Sequence, residues 1–288
     1  MWLIFAGFAA ISFGLRGILY HWTSQQLLSR NVLLCGAFFM GAILSLICSM
    51  LFQQEWTLTA LIGLQMGLFS FGANASMFKG FAVGKASLVA ILTALPSVIV
   101  VIVAYMIWGE NLNLMQLIAF IVIIAGVLLV RYSNELSWTN LQGAGWGVLA
   151  MVLFAFNDLS GKWSTMMEAQ MFPTLFFMFM MGTCCFGGWW LKDRIQATEK
   201  KRNPISWSEG RTFVVGMAIG ITNAVGMMLI IEAFDYGMAG LVSAVVALNV
   251  LLVLLYTRFV VKEKFTRLEV IGMSTAFAGI VIMRLFGS

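Results

Sequence analysis

The side chains in this sequence that can do chemistry are few, and they lie inside long apolar runs. Arg16 stands in FGLRGILYHW at 13–22, and Asp158 stands beside Asn157 in LFAFNDLSGKW at 153–163. A guanidinium keeps its charge and can fork onto a carboxylate or phosphate. A carboxylate can bind an ammonium group or carry a coupling proton. Gln65, Asn74, Asn223 and Asn249 add neutral amides within other apolar runs, and Pro96 interrupts one run. Bond-making chemistry has no comparable set. There is one histidine (His21), no HExxH, and no pair of aspartates inside the apolar runs. The four cysteines, Cys35, Cys48, Cys184 and Cys185, lack metal-ligand spacing with a histidine and read as small packing residues. The expectation is therefore no catalytic residue, no metal and no cofactor, so not an enzyme.

The elements that must position these residues follow from composition. Of 288 residues, 61% are hydrophobic and only 10% charged, whereas soluble domains carry roughly 25% charged residues. So much apolar surface needs lipid around it. The net charge of +5 is accordingly not a nucleic-acid footprint, because the basic residues fall between apolar runs, where topology signals lie. A helix crosses a hydrocarbon core of roughly 30 Å with about 20 apolar residues. Ten segments qualify, near 2–21, 32–52, 57–78, 86–108, 113–131, 143–163, 173–191, 211–231, 238–258 and 267–286. The fold class is thus an all-α polytopic membrane protein. The first segment has no basic n-region and reads as a retained helix rather than a signal peptide. The longest connection is the polar loop 192–210, between the seventh and eighth spans.

With the N-terminal side called A and the opposite side B, fourteen Lys and Arg residues fall on side B and two, Lys162 and Arg284, on side A. The positive-inside rule then makes side B cytoplasmic and places both termini outside, and the short loops and lack of a targeting segment lead us to expect a cell (inner) membrane.

Inside such a bundle each candidate has a plainer reading beside the functional one. A charge near the bilayer centre costs roughly 2.5–3.5 kcal/mol on insertion scales, so it should face a cavity or a partner. Arg16 is either a substrate or gating residue, or it snorkels to the interface or joins a structural ion pair. Asp158 either meets a solute or proton, or links locally to Lys162 four residues on. Gln65, Asn74, Asn157, Asn223 and Asn249 either contact solute or bond helix to helix, worth about 0.6 kcal/mol on average. Pro96 frees a carbonyl and should kink its span. Phe13, Phe154, Phe156 and Trp163 are candidates for an aromatic cavity wall, with lipid or core packing as the alternative for each. His21 reads as an interfacial anchor.

The chain also repeats itself. At an offset of 153, Phe81 meets Phe234, Gly84 meets Gly237, Glu110 meets Glu263, Gly126 meets Gly279 and Arg131 meets Arg284, without a gap from 81 to 131. At an offset of 141, Phe13 meets Phe154 and Trp22 meets Trp163. These are two five-helix units, 1–135 and 136–288. Five is odd, so the second copy enters the membrane from the other side, and loop charge must reverse. It does: the loop around Lys79 and Lys85 is basic, and its partner around Glu232 and Asp235 is acidic. Pro96 meets Asn249, so the mismatch at mid-membrane marks where the symmetry breaks.

The segments WGENLNLMQLIAFIVIIAGVLLVR (108–131) and VKEKFTRLEVIGMSTAFAGIVIMR (261–284), with Gly-Glu ending the fourth span, make the chain resemble the drug/metabolite transporter superfamily, EamA type. The resemblance covers essentially the whole chain. It implies two inverted five-helix repeats, a site at mid-membrane near their interface, and a helix-end structural role for Glu110 and Glu263. It also implies a secondary transporter moving a small organic metabolite (amino acid, amine or drug-like solute) by alternating access, as exporter or exchanger, with proton coupling open. A flippase for lipid-linked substrates or an accessory subunit is the alternative. Lys262 stands where Gly109 does, which argues against the same tight turn there.

Overall fold

A computed structural model describes residues 1–24, 26, 28–83, 86–131, 143–197, 207–262 and 266–286, with the side chains of 86, 87, 197, 261 and 286 left aside. Lys85, Glu263, Lys264 and the expected boundary between the halves at 135/136 lie outside the described residues. The helices are α1 (Trp2–Ser24), α2 (Arg30–Leu51), α3 (Ile62–Val83, preceded by a 3₁₀ turn Leu58–Leu61), α4 (Ala86–Leu92), α5 (Pro96–Trp108) and α6 (Leu114–Arg131). Then come α7 (Ala144–Met166), α8 (Met171–Ala197), α9 (Glu209–Tyr236), α10 (Ala239–Val246), α11 (Asn249–Tyr256, ending in a π turn over Thr257–Val261) and α12 (Arg267–Phe286). Among the described residues they form ten spans long and apolar enough to cross a membrane, α4–α5 and α10–α11 each making one. Large apolar side chains such as Phe8, Phe259 and Phe277 are exposed on the outer surface, which suits lipid rather than water. The seventh span runs on to Ala197, so residues 192–197 of the expected loop are helical instead.

Contacts between the halves repeat in inverted form. A Cβ on Gly63 or Gly67 of α3 would strike the carbonyls of Thr174 and Met178 in α8. A Cβ on Gly216 or Gly220 of α9 would strike those of Leu33 and Ala37 in α2. Gly63 and Gly67 lie 153 residues before Gly216 and Gly220, and Leu33 and Ala37 lie 141 before Thr174 and Met178. One crossing is therefore built twice. Glycine at both positions lets backbone ride on backbone, the usual close approach between helices in lipid. The α6–α12 pair is its own mirror. A Cβ on Gly126 would lie 2.7 Å from the Gly272 carbonyl, and one on Gly279 would lie 3.1 Å from that of Ala119, the residue equivalent to Gly272.

The fourth and ninth spans are both broken at mid-membrane. In the fourth, Ala94 and Leu95 bond back only three residues, to Ile91 and Leu92, before Pro96 opens α5. In the ninth, Leu248 bonds to Val245 in the same way, and Asn249 opens α11. The sequence led us to expect a kink in the fourth span alone. The backbone is symmetric where residue type is not, because the neighbours of both spans impose the break. A second expectation is also corrected. Lys262 turns with φ +66°, matching Gly109 at φ +67°, so the tight turn survives without glycine.

Candidate functional site

The side A end of the bundle is held by one network. Lys162 of α7 donates to the carbonyls of Phe234 (2.7 Å) and Gly237 (2.9 Å) at the C-terminus of α9. Its ammonium also lies 3.7 Å from Glu110 Oε1, with both side chains mostly shielded (13% and 16% exposed). The other oxygen of Glu110 accepts the Ala239 N–H at 2.8 Å, at the N-terminus of α10. The charges match the helix ends they touch. Terminal carbonyls of α9 take a cation, and terminal amides of α10 take an anion. Gly109, in the left-handed region, turns the chain so that Glu110 reaches across. The local Asp158–Lys162 link considered from spacing alone is thus not formed, since the α9 terminus engages Lys162 instead.

Below this network α5 packs directly on α10. A Cβ on Gly240 would lie 3.0 Å from the Val101 Cα, tighter than packed atoms accept. The pseudo-symmetric pair on side B is α4 and α11. No comparable packing joins them among the described residues.

Two candidates expected separately are brought together. Arg16 Nη1 of α1 donates to Asn223 Oδ1 of α9 at 2.6 Å. Its guanidinium carbon lies 4.6 Å from the centre of the Phe13 ring and 5.9 Å from that of Tyr20. Gly14 and Gly17 set α1 against Leu252 and Val253 of α11, and Phe13 is buried against Gly226 of α9. Asp158 of α7 accepts a hydrogen bond from Ser243 Oγ of α10 at 2.7 Å, so it touches the upper half of the broken ninth span. Asn157 is buried, and its side-chain oxygen has no hydrogen-bond partner among the described residues. Gln65 donates to Ser160 Oγ of α7 at 2.9 Å. Asn74 is occupied within its own helix, donating to the Ser70 carbonyl at 2.8 Å. Pro96 and Asn249 sit at the two breaks.

The aromatic candidates separate. Phe13 backs Arg16. Phe154 is half-buried. Phe156 (39% exposed) and Trp163 (45%) share an outward stripe of α7 with Leu149, seven residues apart, which suits lipid contact better than a wall around a solute. The residues that sequence reasoning missed are Ser243, Ser160 and the Lys162–Glu110 pair. Ser243 is a lone hydroxyl in an apolar run, and the partners of Lys162 and Glu110 lie in different spans. Only the shared Glu110/Glu263 register hinted at a role.

A solved crystal structure shares this fold across 98% of the chain and 97% of its own length, with a TM-score of 0.78 at 13% identity. No curated protein sequence matches. The sequence matches the EamA-like transporter family over residues 1–132 and 141–285, one match in each half. The chain therefore belongs to the EamA-like transporter family, within the drug/metabolite transporter superfamily.

Proposed function

We propose that this protein is a secondary transporter of a small organic solute (an amino acid, amine or drug-like molecule) that works by alternating access, as an exporter or exchanger. The observation that carries the reading is the unequal state of the two ends. On side A, α5 meets α10 and the Glu110–Lys162 network ties four spans together. On side B, no comparable packing joins the equivalent α4 and α11 among the described residues. A pseudo-symmetric bundle that packs one of two equivalent helix pairs more tightly than the other has a second conformer in which the two pairs exchange. With side B cytoplasmic, as the Lys and Arg distribution favours, this conformer faces inward, and both termini lie outside a cell membrane.

Asp158 is the candidate coupling residue. It lies one helical turn from Lys162 and bonds the half-helix α10 that closes side A. Gain or loss of a proton there alters its bond to Ser243 and so bears on the same closure. Counterflow in proteoliposomes, run over a panel of amino acids and amines at several pH values, tests both ideas. The expected result is saturable exchange for at least one solute, with Asp158→Asn flattening its pH dependence. Exchange with an unchanged pH profile in that variant removes Asp158 from coupling. Absence of exchange across the panel counts against the transporter reading.

A further inference from the structure

We infer that Arg16 and Asn223 form an anion seat, and that the solute carried by this protein bears a carboxylate. The inference rests on the transporter reading for its biological sense, though not for its geometry.

Arg16 carries a charge with no ionic partner among the described residues, where no carboxylate lies within ion-pair distance of it. Its polar contact is a neutral amide, and its other neighbours are the faces of Phe13 and Tyr20. Arginine does not shed its proton in proteins, so this site cannot become neutral by itself. A guanidinium has five N–H donors, and a single amide oxygen leaves a fork free for a two-oxygen acceptor. The residue as a whole is half-buried. Asp158, the nearest analogue of a partner in the other half, is bonded to Ser243 instead.

Snorkelling to lipid phosphate does not explain the geometry. The side B interface is the near one for Arg16, at the C-terminal end of α1. Side chains on a helix lean toward its N-terminus, and here the guanidinium lies closer to Phe13 than to Tyr20. The head thus leans away from side B. It is held there by Asn223, at the midpoint of the 28-residue helix α9. The inverted repeat sharpens this. The positions equivalent to Arg16 and Asn223 are Asn157 and Ser70, both neutral. A bundle needing a cation there for packing would need it twice. One half alone carries it, as expected of a ligand contact.

Matched probes read the charge directly. Purified full-length protein is titrated by thermal shift with 3-phenylpropanoate, its amide, 3-phenylpropylamine and phenyl phosphate. We expect stabilisation by the carboxylate and none by the amide or amine. Arg16→Gln should weaken carboxylate binding by at least about 30-fold, and Asn223→Ala by about tenfold. Arg16→Lys, which keeps the charge and loses the fork, should retain binding at intermediate strength and guards against misfolding of the neutral variant. Equal binding of amide and carboxylate, stabilisation by no carboxylate, or carboxylate binding unchanged in Arg16→Gln would overturn the inference. Tighter binding of phenyl phosphate than of the carboxylate would overturn the carboxylate assignment. Counterflow on the same samples separates the two readings. Exchange of amines with carboxylates ignored leaves a transporter without this seat. Carboxylate binding through Arg16 without any exchange leaves the seat and removes the transporter.

Discussion

Gly109 and Lys262 leave the equivalent helix of the two halves with the same backbone turn (φ +67° and +66°). Around the first, Glu110 and Lys162 join the end of α9 to the start of α10. Around the second, the residue equivalent to Lys162 is His21, packed edge-on against Tyr256, its buried Nδ1 without a hydrogen-bond partner among the described residues. Gly240, where α10 meets α5, has Ser87 as its equivalent. The repeat fixes where the chain turns and breaks, and a few side chains decide which end is sealed. Inverted folds need such differences to be small. Two conformers interchange readily only when the balance between them is a few kcal/mol.

Breaking the Lys162–Glu110 network should have the largest effect. Lys162→Met leaves the Glu110 carboxylate shielded and without its cation, and frees the α9 terminal carbonyls. Loss of one partner from a largely buried pair costs about 3 kcal/mol. We expect a marked fall in thermal stability in detergent. Thiol labelling should also rise at Val101→Cys, in a background whose native cysteines are alanine. Glu110→Gln should cost less, since an amide oxygen can still accept the Ala239 N–H. A double variant no worse than Lys162→Met alone would show that the two residues act as a unit. Additive losses would refute the network.

Packing comes next. Gly240→Ala puts a methyl group against the Val101 backbone, and overpacking of this kind costs about 1–3 kcal/mol. Its effect should fall on the sealed end, again read as labelling at Val101→Cys. The mirrored change, Ser87→Gly, should leave that labelling unchanged. If both substitutions open side A equally, the α5–α10 contact is not what distinguishes the ends.

The turns give a smaller effect of opposite sign. Lysine in the left-handed region is strained where glycine is not. Lys262→Gly should therefore stabilise slightly, by about 0.5 kcal/mol after the unfolded chain's gain in freedom is subtracted. Gly109→Ala should destabilise by about 1 kcal/mol. Thermal unfolding of the two variants side by side checks the signs.

The spans were legible because crossing a membrane demands length and apolarity, and both are written in composition. All ten appear where hydropathy puts them. Inversion was legible because loop charge must follow topology. The glycines of the crossings, Gly63 and Gly67 against Gly216 and Gly220, were present at the same offset and went unread, since a glycine in an apolar run looks like any other until its neighbour is known. Partners were the least legible. Arg16 and Asp158 drew attention by their charge, but Asn223 and Ser243 answer them from spans far along the chain. Lys162 looked local because Asp158 stood one turn away. Long-range pairing is set by tertiary packing, and no spacing rule encodes it.

The smallest effect concerns the breaks themselves. If Pro96 caused the break in the fourth span, the ninth span, which has Asn249 there, should run straight, and it does not. The break then belongs to the packing around both spans, and proline merely fits it. Pro96 is the first residue of α5, where a missing N–H costs nothing and the fixed φ is already helical. Asn249 holds the same place in α11, as its first residue. Pro96→Ala should change stability by less than about 0.5 kcal/mol. Asn249→Pro should likewise cost less than about 1 kcal/mol, whereas a proline inside a continuous helix costs about 3 kcal/mol or more. Thermal unfolding of Asn249→Pro beside Val253→Pro, four residues further into α11, measures that contrast. Equal losses in the two would mean that the ninth span is continuous and that the fourth owes its break to Pro96 after all.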